Sequence, residues 1–463
     1  MNFKQAINYT NKIHKFLKVL NSQGTSLPGK YLRKFYPEFL RESQNYVTSY
    51  KFAITGTNGK TTTAGVLAQI LKEAQKIVIH NELGANMPNG IATAVALGLY
   101  NNFQENGPDA LADNFVIESD EAYLREVFEN IIFDYLLVTN LFRDQLDRYG
   151  ELDTTKKKIQ EGIRINPDLK LILNADDPSL YDIEKNIRND MITLRKKRKV
   201  IYFGFENVEF CDFDTKSNSP SEVIYCPVCK KPLKYSKRFY SQLGLWSCNC
   251  RIKRPKPDVS ADVKVFRNYS ILNVKFEGKS IMYRLNLSGL YNAYNVLGAI
   301  ACAYMAGIDR KVIARALENY KPVFGRAQNA VIDGREVTLY LIKNPTGASE
   351  VLRGLKNIKN TKILISINDK YADGRDVSWL WDADFEVFKD FNNKICITGS
   401  RADDMALRLK YAGVDPGVMV IDNNIKKMFG FALNSLEEGE KLIVLPTYTS
   451  LLKLNKIIKD RTK

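Results

Sequence analysis

Short apolar runs alternate with longer stretches of helical periodicity along most of this chain. Residues 50–54, 115–118, 135–139 and 171–173 are each brief, apolar and followed by polar side chains. Runs of that kind read as buried strands, and the intervals between them are long enough for crossover helices. The pattern predicts an α/β fold with a largely parallel sheet, whose ligands gather at the carboxyl ends of the strands. The rhythm breaks over residues 206–257 and resumes at 263–266 and 271–276. Residues 290–306 read as an alanine-rich helix. Beyond a boundary near 320–325, strands are expected at 338–342, 362–367, 394–398 and 441–446. Ahead of the first strand, Ile7, Ile13, Phe16, Leu17 and Leu20 predict an amphipathic helix packed on the body of the protein, with breaks near Gly24 and Pro28-Gly29.

The resulting division is a helical lead over 1–47, a central α/β domain over 48–320 with an insertion at 206–257, and a C-terminal α/β domain over 321–463. A length of 463 residues and a hydrophobic fraction of 45% give room for such cores. The formal charge of +16 favours anionic partners such as nucleotides or phosphate-bearing surfaces. The basic residues are scattered and lack the aromatic interleaving of a stacking platform, so nucleic acid is not an expected partner. No apolar run is long enough to span a membrane, and the first residues lack the apolar core of a secretory signal. A reducing compartment without disulfides is therefore expected.

Candidate chemistry begins directly after the first strand. Gly56-Thr57-Asn58-Gly59-Lys60-Thr61-Thr62 sits between a strand and a helix, the setting of a phosphate-binding loop. The glycines let backbone amides approach phosphate oxygens, Lys60 can reach the terminal phosphates, and the Thr61 hydroxyl can hold magnesium. Glu118 ends another strand, where a carboxylate can reach the same magnesium, with Asp120 and Glu121 as weaker candidates. Within the insertion, Cys226 and Cys229 are followed by Cys248 and Cys250. Two close thiolate pairs can supply a tetrahedral structural zinc site. Cys211, Cys302 and Cys396 read as lone buried thiols.

The loop lacks the first glycine of the common form, since Ile54 stands in its place. That variant resembles the Mur ligases and folylpolyglutamate synthetases, which join a carboxylate to an amine using ATP. The similarity runs from about Thr25 to the C-terminus. It is nearest to the MurT-like ligase subunits of lipid II isoglutaminyl synthase, which carry a four-cysteine zinc ribbon in the middle domain. The resemblance makes Glu118 a metal ligand. It also aligns Asn140, Asp144 and Asp147 with the NxxxDHLDxxG motif, in which Gln145 replaces the family histidine. Asn174, Asp176 and Asp177 follow a pattern shared with the family on the nucleotide side of the sheet. Asn292 and Asn295 fall on the helix that meets adenine, Arg326 in the turn that stabilises phosphoryl oxygens, and Lys343 in the loop that closes over the acyl-phosphate site.

Asp369, Asp373 and Asp376 lie in a stretch resembling the DG-x-D-x-SW signature of MurT C-terminal domains. In that family one such aspartate completes a Cys-His-Asp triad in a separate GatD-type glutaminase, with Asp373 or Asp376 favoured here. The chain has only His14 and His80 and shows no nucleophile constellation of its own, which fits a split enzyme. The implied reaction is ATP-dependent amidation of the D-glutamate α-carboxylate of lipid II. It would pass through an acyl phosphate, with Mg²⁺ and structural Zn²⁺ as cofactors, in the cytoplasm at the inner face of the membrane. The alternative is a Mur-type amino-acid ligase. Gln145, the aspartate loop and the short N-terminal region speak against it.

Overall fold

The computed structural model describes residues 1–20, 25–82, 84–142, 152–181, 183, 199–211, 223–266, 268–287, 289–320, 326–356, 358 and 360–461, the side chains of 326–329 excepted. Up to Tyr320 they form one compact unit, and from Arg326 onward another.

The first unit is built on a nine-stranded sheet. Its strands are β1 (Lys51–Thr55), β2 (Val78–His80), β3 (Asn114–Glu118), β4 (Tyr135–Val138), β5 (Lys170–Asn174) and β6 (Val200–Phe210). Beyond the hairpin β7 (Lys234–Tyr240) and β8 (Leu243–Ser247), which pair only with each other, come β9 (Val259–Val265), β10 (Ser270–Phe276) and β11 (Lys279–Leu285). The spatial order is β2-β3-β1-β4-β5-β6-β9-β10-β11. From β2 to β9 in that order every adjacent pair is parallel, while β10 runs antiparallel to both β9 and β11 at one edge. Every residue of β3 and β4 is buried, because helices cover both faces of a parallel sheet. Phe115, Ile117, Leu136, Val138, Leu171 and Leu173 lie in one contiguous core.

The second unit carries a six-stranded sheet in the order β12-β13-β17-β14-β15-β16. These are Arg326–Ile332, Arg335–Tyr340, Thr361–Ser366, Ile395–Thr398, Met419–Ile421 and Lys441–Pro446 for β12 to β17. Only the β12–β13 pair is antiparallel. Alternate residues of β14 serve opposite faces: Ile363 and Ile365 enter one core and Leu364 the other.

The structure departs from the sequence reading at the N-terminus. A helix does span Phe3–Val19, but it buries Phe3, Ala6, Ile7, Thr10 and Asn11, while Phe16 and Leu20 are 64% and 60% exposed. The apolar residues counted as one face fall on two, because Ile7 and Phe16 are nine positions apart and 180° around the helix. Pro28 does not break a helix either. It sits in the first turn of the helix Leu27–Phe35, where its missing N–H is not needed.

Ile365 is fully buried in the second unit. Ile365→Ala should lower that unit's unfolding free energy by about 2–5 kcal/mol, read from denaturant midpoints. A change below about 0.5 kcal/mol would mean that the strand does not sit in a packed core.

Candidate functional site

The chain leaves β1 at the point where the strand order reverses, with β3 on one side and β4 on the other. That crevice is where an open α/β sheet takes its ligand. The loop 56–59 crosses it and enters the helix Lys60–Glu73. Gly56 and Gly59 have φ of 120° and 88°. A Cβ at Gly56 would stand 2.3 Å from Thr139 Oγ1, and one at Gly59 1.8 Å from Asn295 Oδ1. Both positions need glycine for conformation and for space.

The end of β4 straps the loop. Thr57 N–H donates to Asn140 O at 2.9 Å, and Asn58 N–H to Asn140 Oδ1 at 2.9 Å. The Thr57 hydroxyl donates to Phe142 O and accepts from Phe142 N–H, at 3.0 and 2.9 Å. The Thr139 hydroxyl donates to Asn58 O at 2.7 Å. The structure thus engages the backbone amides of Thr57 and Asn58 with protein acceptors. Gly59 caps the helix with no side-chain bond. The first-turn amides at Lys60 and Thr61 therefore form the anion-facing end, favoured by the helix dipole. Thr62, one residue on, is buried.

Lys60 turns back onto its own loop. Its Nζ donates to Gly56 O at 2.6 Å and to Glu121 Oε1 at 2.8 Å. Glu121 Oε1 also accepts the Gly56 N–H at 3.0 Å. The pair is almost fully buried. Burial pulls the Lys60 pKa down, but the carboxylates of Glu121, Asp120 and Glu118 outweigh it, so the group stays charged.

Glu118 is held from both sides. Asn81 receives its N–H at 2.8 Å and donates to its carbonyl at 2.9 Å, while Asn86 Nδ2 donates to Oε1 at 3.0 Å. Glu118 Oε2 is buried and has no hydrogen-bond partner. A Cβ on Gly84 would stand 3.4 Å from Thr61 Oγ1 and 3.8 Å from Glu118 Oε2, so both oxygens front the same small space. An orphaned carboxylate oxygen beside a hydroxyl suits a hard divalent cation.

The four cysteines converge, with all Sγ atoms within 4.8 Å of one another. Cys226 and Cys250 lie 3.7 Å apart, and Cys229 and Cys248 3.4 Å. Tetrahedral zinc with bonds of about 2.3 Å requires sulfur separations of about 3.8 Å. Each pair lies on a tight turn: Lys230 N–H returns to Cys226 O and Arg251 N–H to Cys248 O, both at 3.0 Å. The Lys231 amide holds the Cys229 thiol down at about 7. Residue types and geometry both fit the metal. Among the other cysteines, Cys302 and Cys396 are buried as expected, but Cys211 is exposed, because it lies just past the end of β6.

The insertion is bolted to the turn after β5. Trp246 Nε1 donates to Ala175 O at 3.0 Å, and Gly244 N–H to Asp176 O at 3.1 Å. Arg254 Nε reaches Asp176 Oδ1 at 2.5 Å, and the Tyr294 hydroxyl and the Phe205 N–H reach Oδ2, both at 2.8 Å. Burial pushes Asp176 up to about 6 even with Arg254 beside it. Asp177 Oδ2 accepts the Leu141 N–H at 2.8 Å, next to the strap on the phosphate loop. Asn174, Asp176 and Asp177 are thus structural in their contacts. Asn292 and Asn295 are both buried, and Asn295 braces the loop at Gly59.

In the second unit the aspartates separate by environment. Asp373 is buried: Oδ1 accepts the Thr449 N–H at 2.7 Å, and Oδ2 accepts the Thr449 hydroxyl at 2.5 Å and the Lys370 N–H at 3.2 Å. Asp369 accepts from the Ser400 hydroxyl and from Arg401 Nε, both at 2.8 Å. Those bonds, Ser400's first, lower its pKa. Asp376 is half-exposed and accepts the Ser378 N–H at 2.8 Å. Lys343 is half-buried beside Asn344, whose side chain caps the helix Pro345–Leu355. Asp144, Gln145, Asp147 and the Arg326 side chain lie outside the described residues.

Sequence reasoning ranked Glu121 low and missed Asn81, Asn86, Arg254 and Thr449. The only signal for Glu121 was a second acid three residues past a strand end. The others join the site through contacts between segments distant in sequence.

Comparison with known proteins agrees with this geometry. Residues 54–227 match the Mur ligase middle domain, and residues 341–451 the MurT ligase C-terminal domain. Over 448 residues the chain is 33% identical to the MurT subunit of lipid II isoglutaminyl synthase (glutamine-hydrolyzing) from Staphylococcus aureus (strain COL), covering 96% of this chain and 95% of that one. The subunit of the same name from Streptococcus pneumoniae (strain ATCC BAA-255 / R6) is also 33% identical, over 95% of this chain and 93% of its own. In fold the chain is similar to a pseudomurein peptide ligase type C from Methanothermus fervidus, with a TM-score of 0.65 at 21% identity, over 89% of this chain and 79% of that one. With its phosphate loop at the sheet's switch point and its aspartate loop in the C-terminal unit, the chain belongs to the MurT family of Mur-type ligases.

Proposed function

We propose that this ligase amidates the D-glutamate α-carboxylate of lipid II to D-isoglutamine, using ATP and ammonia released from glutamine by a GatD-type partner. Family membership makes the chain an ATP- and Mg²⁺-using ligase and one subunit of a complex. The observation that carries the reading is the pairing of the Thr61–Glu118 space with the aspartate loop in one chain. A carboxylate oxygen of the substrate attacks the γ-phosphorus of ATP, and ADP leaves. Ammonia then attacks the acyl carbon, loses a proton and expels phosphate. Lys60 and the first-turn amides hold the phosphoryl oxygens as charge shifts between them. Thr61 and Glu118 would hold magnesium, which when bound would neutralise phosphate charge. Arg326 and Lys343 are assigned to the transferring phosphoryl group, and Asn292 to the nucleotide. A peptide-adding ligase is the second reading. A screen of amino acids against ammonia, read by ADP release, separates the two.

We assign zinc to Cys226, Cys229, Cys248 and Cys250 as a structural ion of the 206–257 ribbon. For the partner's triad, Asp376 is the preferred aspartate. Asp373 is buried with both oxygens engaged by Thr449, whereas Asp376 is half-exposed. Exposed aromatics in the same unit, Trp381 at 50% and Tyr411 at 72%, pack edge-on with ring centroids 5.6 Å apart and suit a protein interface. The amidation itself is placed in the cytoplasm at the inner membrane face.

Incubation of both subunits with ATP, glutamine and lipid II should convert one substrate carboxylate to an amide by mass spectrometry; an unchanged product overturns the reading. Lys60→Ala and Glu118→Gln should each slow ATP turnover by about a hundredfold or more; the thermal midpoint should hold in Glu118→Gln and fall in Lys60→Ala, which leaves the buried Glu121 without its cation. Wild-type turnover in Glu118→Gln would remove it as a metal ligand. Elemental analysis should find about one zinc per chain, and chelation should lower the thermal midpoint. Zinc-free protein with four reactive thiols at those positions ends that assignment. Asp376→Asn should cut glutamine hydrolysis by the complex by about a hundredfold or more without loss of co-elution. Asp373→Asn should instead lower thermal stability. Full glutaminase activity in Asp376→Asn would pass the role to Asp369, tested by Asp369→Asn.

A further inference from the structure

The two N-terminal helices present a surface that the ligase site does not use. Residues 1–37 contain no aspartate or glutamate and seven lysines and arginines. Lys4 pairs with Asp109, and Arg33 with Glu126. Lys12, Lys15, Lys18, Lys30 and Lys34 are exposed. Between these charges lies apolar surface. On the helix Phe3–Val19, away from its buried side, Tyr9, Phe16 and Leu20 follow one another at seven and four residues, a single stripe. They are 39%, 64% and 60% exposed. On the helix Leu27–Phe35, the exposed Leu27, Tyr31 and Phe35 repeat every four residues. Tyr31 stacks on Phe35, and Phe35 meets Tyr9 edge-on, each with ring centroids 6.4 Å apart, so the two stripes are continuous.

We propose that this face docks on an anionic lipid bilayer, with the rings and Leu20 entering the headgroup boundary and the lysines meeting lipid phosphates. Aromatic and aliphatic side chains flanked by lysine are the composition of an interfacial surface, since lysine stems bury along apolar area while the ammonium stays at the phosphates. Charge complementarity selects the occupant. Residues 1–37 offer a protein partner no acid of their own for mixed pairing, whereas each lysine near an anionic leaflet contributes about 1 kcal/mol. No helix among the described residues is long and apolar enough to cross a membrane. The inference deepens the proposed function, because it places the ligase on the surface that carries a lipid-linked substrate, and it rests on that reading only for its catalytic benefit.

The test is flotation of the purified 463-residue chain with phosphatidylcholine vesicles, with and without phosphatidylglycerol. The chain should float only with the anionic vesicles and detach as salt rises. Phe16→Glu/Leu20→Glu should lower that binding by about tenfold or more, and Tyr371→Glu, an exposed aromatic of the second unit, should not. Failure of the wild type to float, equal binding to both vesicles, or unchanged binding by the double variant overturns the proposal. So does a loss of co-elution with the glutaminase, or of a dimer, in the double variant, since that makes the face a protein interface. In the activity arm, the variant should amidate vesicle-borne lipid II more slowly and a water-soluble short-chain analogue at the wild-type rate. If the wild type amidates neither, the proposed function fails while flotation still decides the docking.

Discussion

A buried ion pair organises the catalytic unit. Lys60 and Glu121 meet at 2.8 Å with almost no solvent contact, and Glu121 also takes the Gly56 N–H. Such a pair adds little net stability, because removing two charges from water costs about as much as their attraction returns. Its effect is on shape. One carboxylate oxygen gathers the loop's first amide and its lysine, and so fixes the loop's path. A phosphate that draws on Lys60 must therefore compete with Glu121 for the ammonium. The Thr139–Phe142 strap serves the same end through neutral hydrogen bonds.

Much of this was legible in the sequence where the information is local. The phosphate loop and its strand and helix lie within a few consecutive residues, and the parallel strands are apolar runs whose burial needs no partner to be named. The two cysteine pairs are likewise readable from spacing. Reading failed where the deciding contact is remote. Asp373 and Asp376 are three residues apart and chemically identical, and the remote Thr449 binds both oxygens of the first. Glu121 looks like one acid among three until Lys60 is seen to reach it. Val78–His80 is too short to register as a strand, and is one because β3 pairs beside it. The N-terminal helix misled because its apolar residues serve two directions, one into the core and one outward.

The cysteine insertion lies in the connection between β6 and β9, which are parallel neighbours in the sheet. A crossover there would ordinarily be a helix covering the sheet face. Here the hairpin of β7 and β8 brings Trp246 and Arg254 down onto the turn after β5. That turn in turn fixes Leu141 through Asp177, beside the residues that hold Thr57 and Asn58.

The insertion is consequently not separable cargo. Arg254 is the cation that lets Asp176 lie fully buried, and Gly204 leaves room for both, since a Cβ there would stand 2.5 Å from the carboxylate and 2.9 Å from the guanidinium. A minimal enzyme made by excising the ribbon would strand that acid in the interior, at the foot of the nucleotide crevice. The metal-bearing module and a single buried acid are thus coupled in this chain, and the coupling is electrostatic: taking the module away takes with it the cation that Asp176 faces.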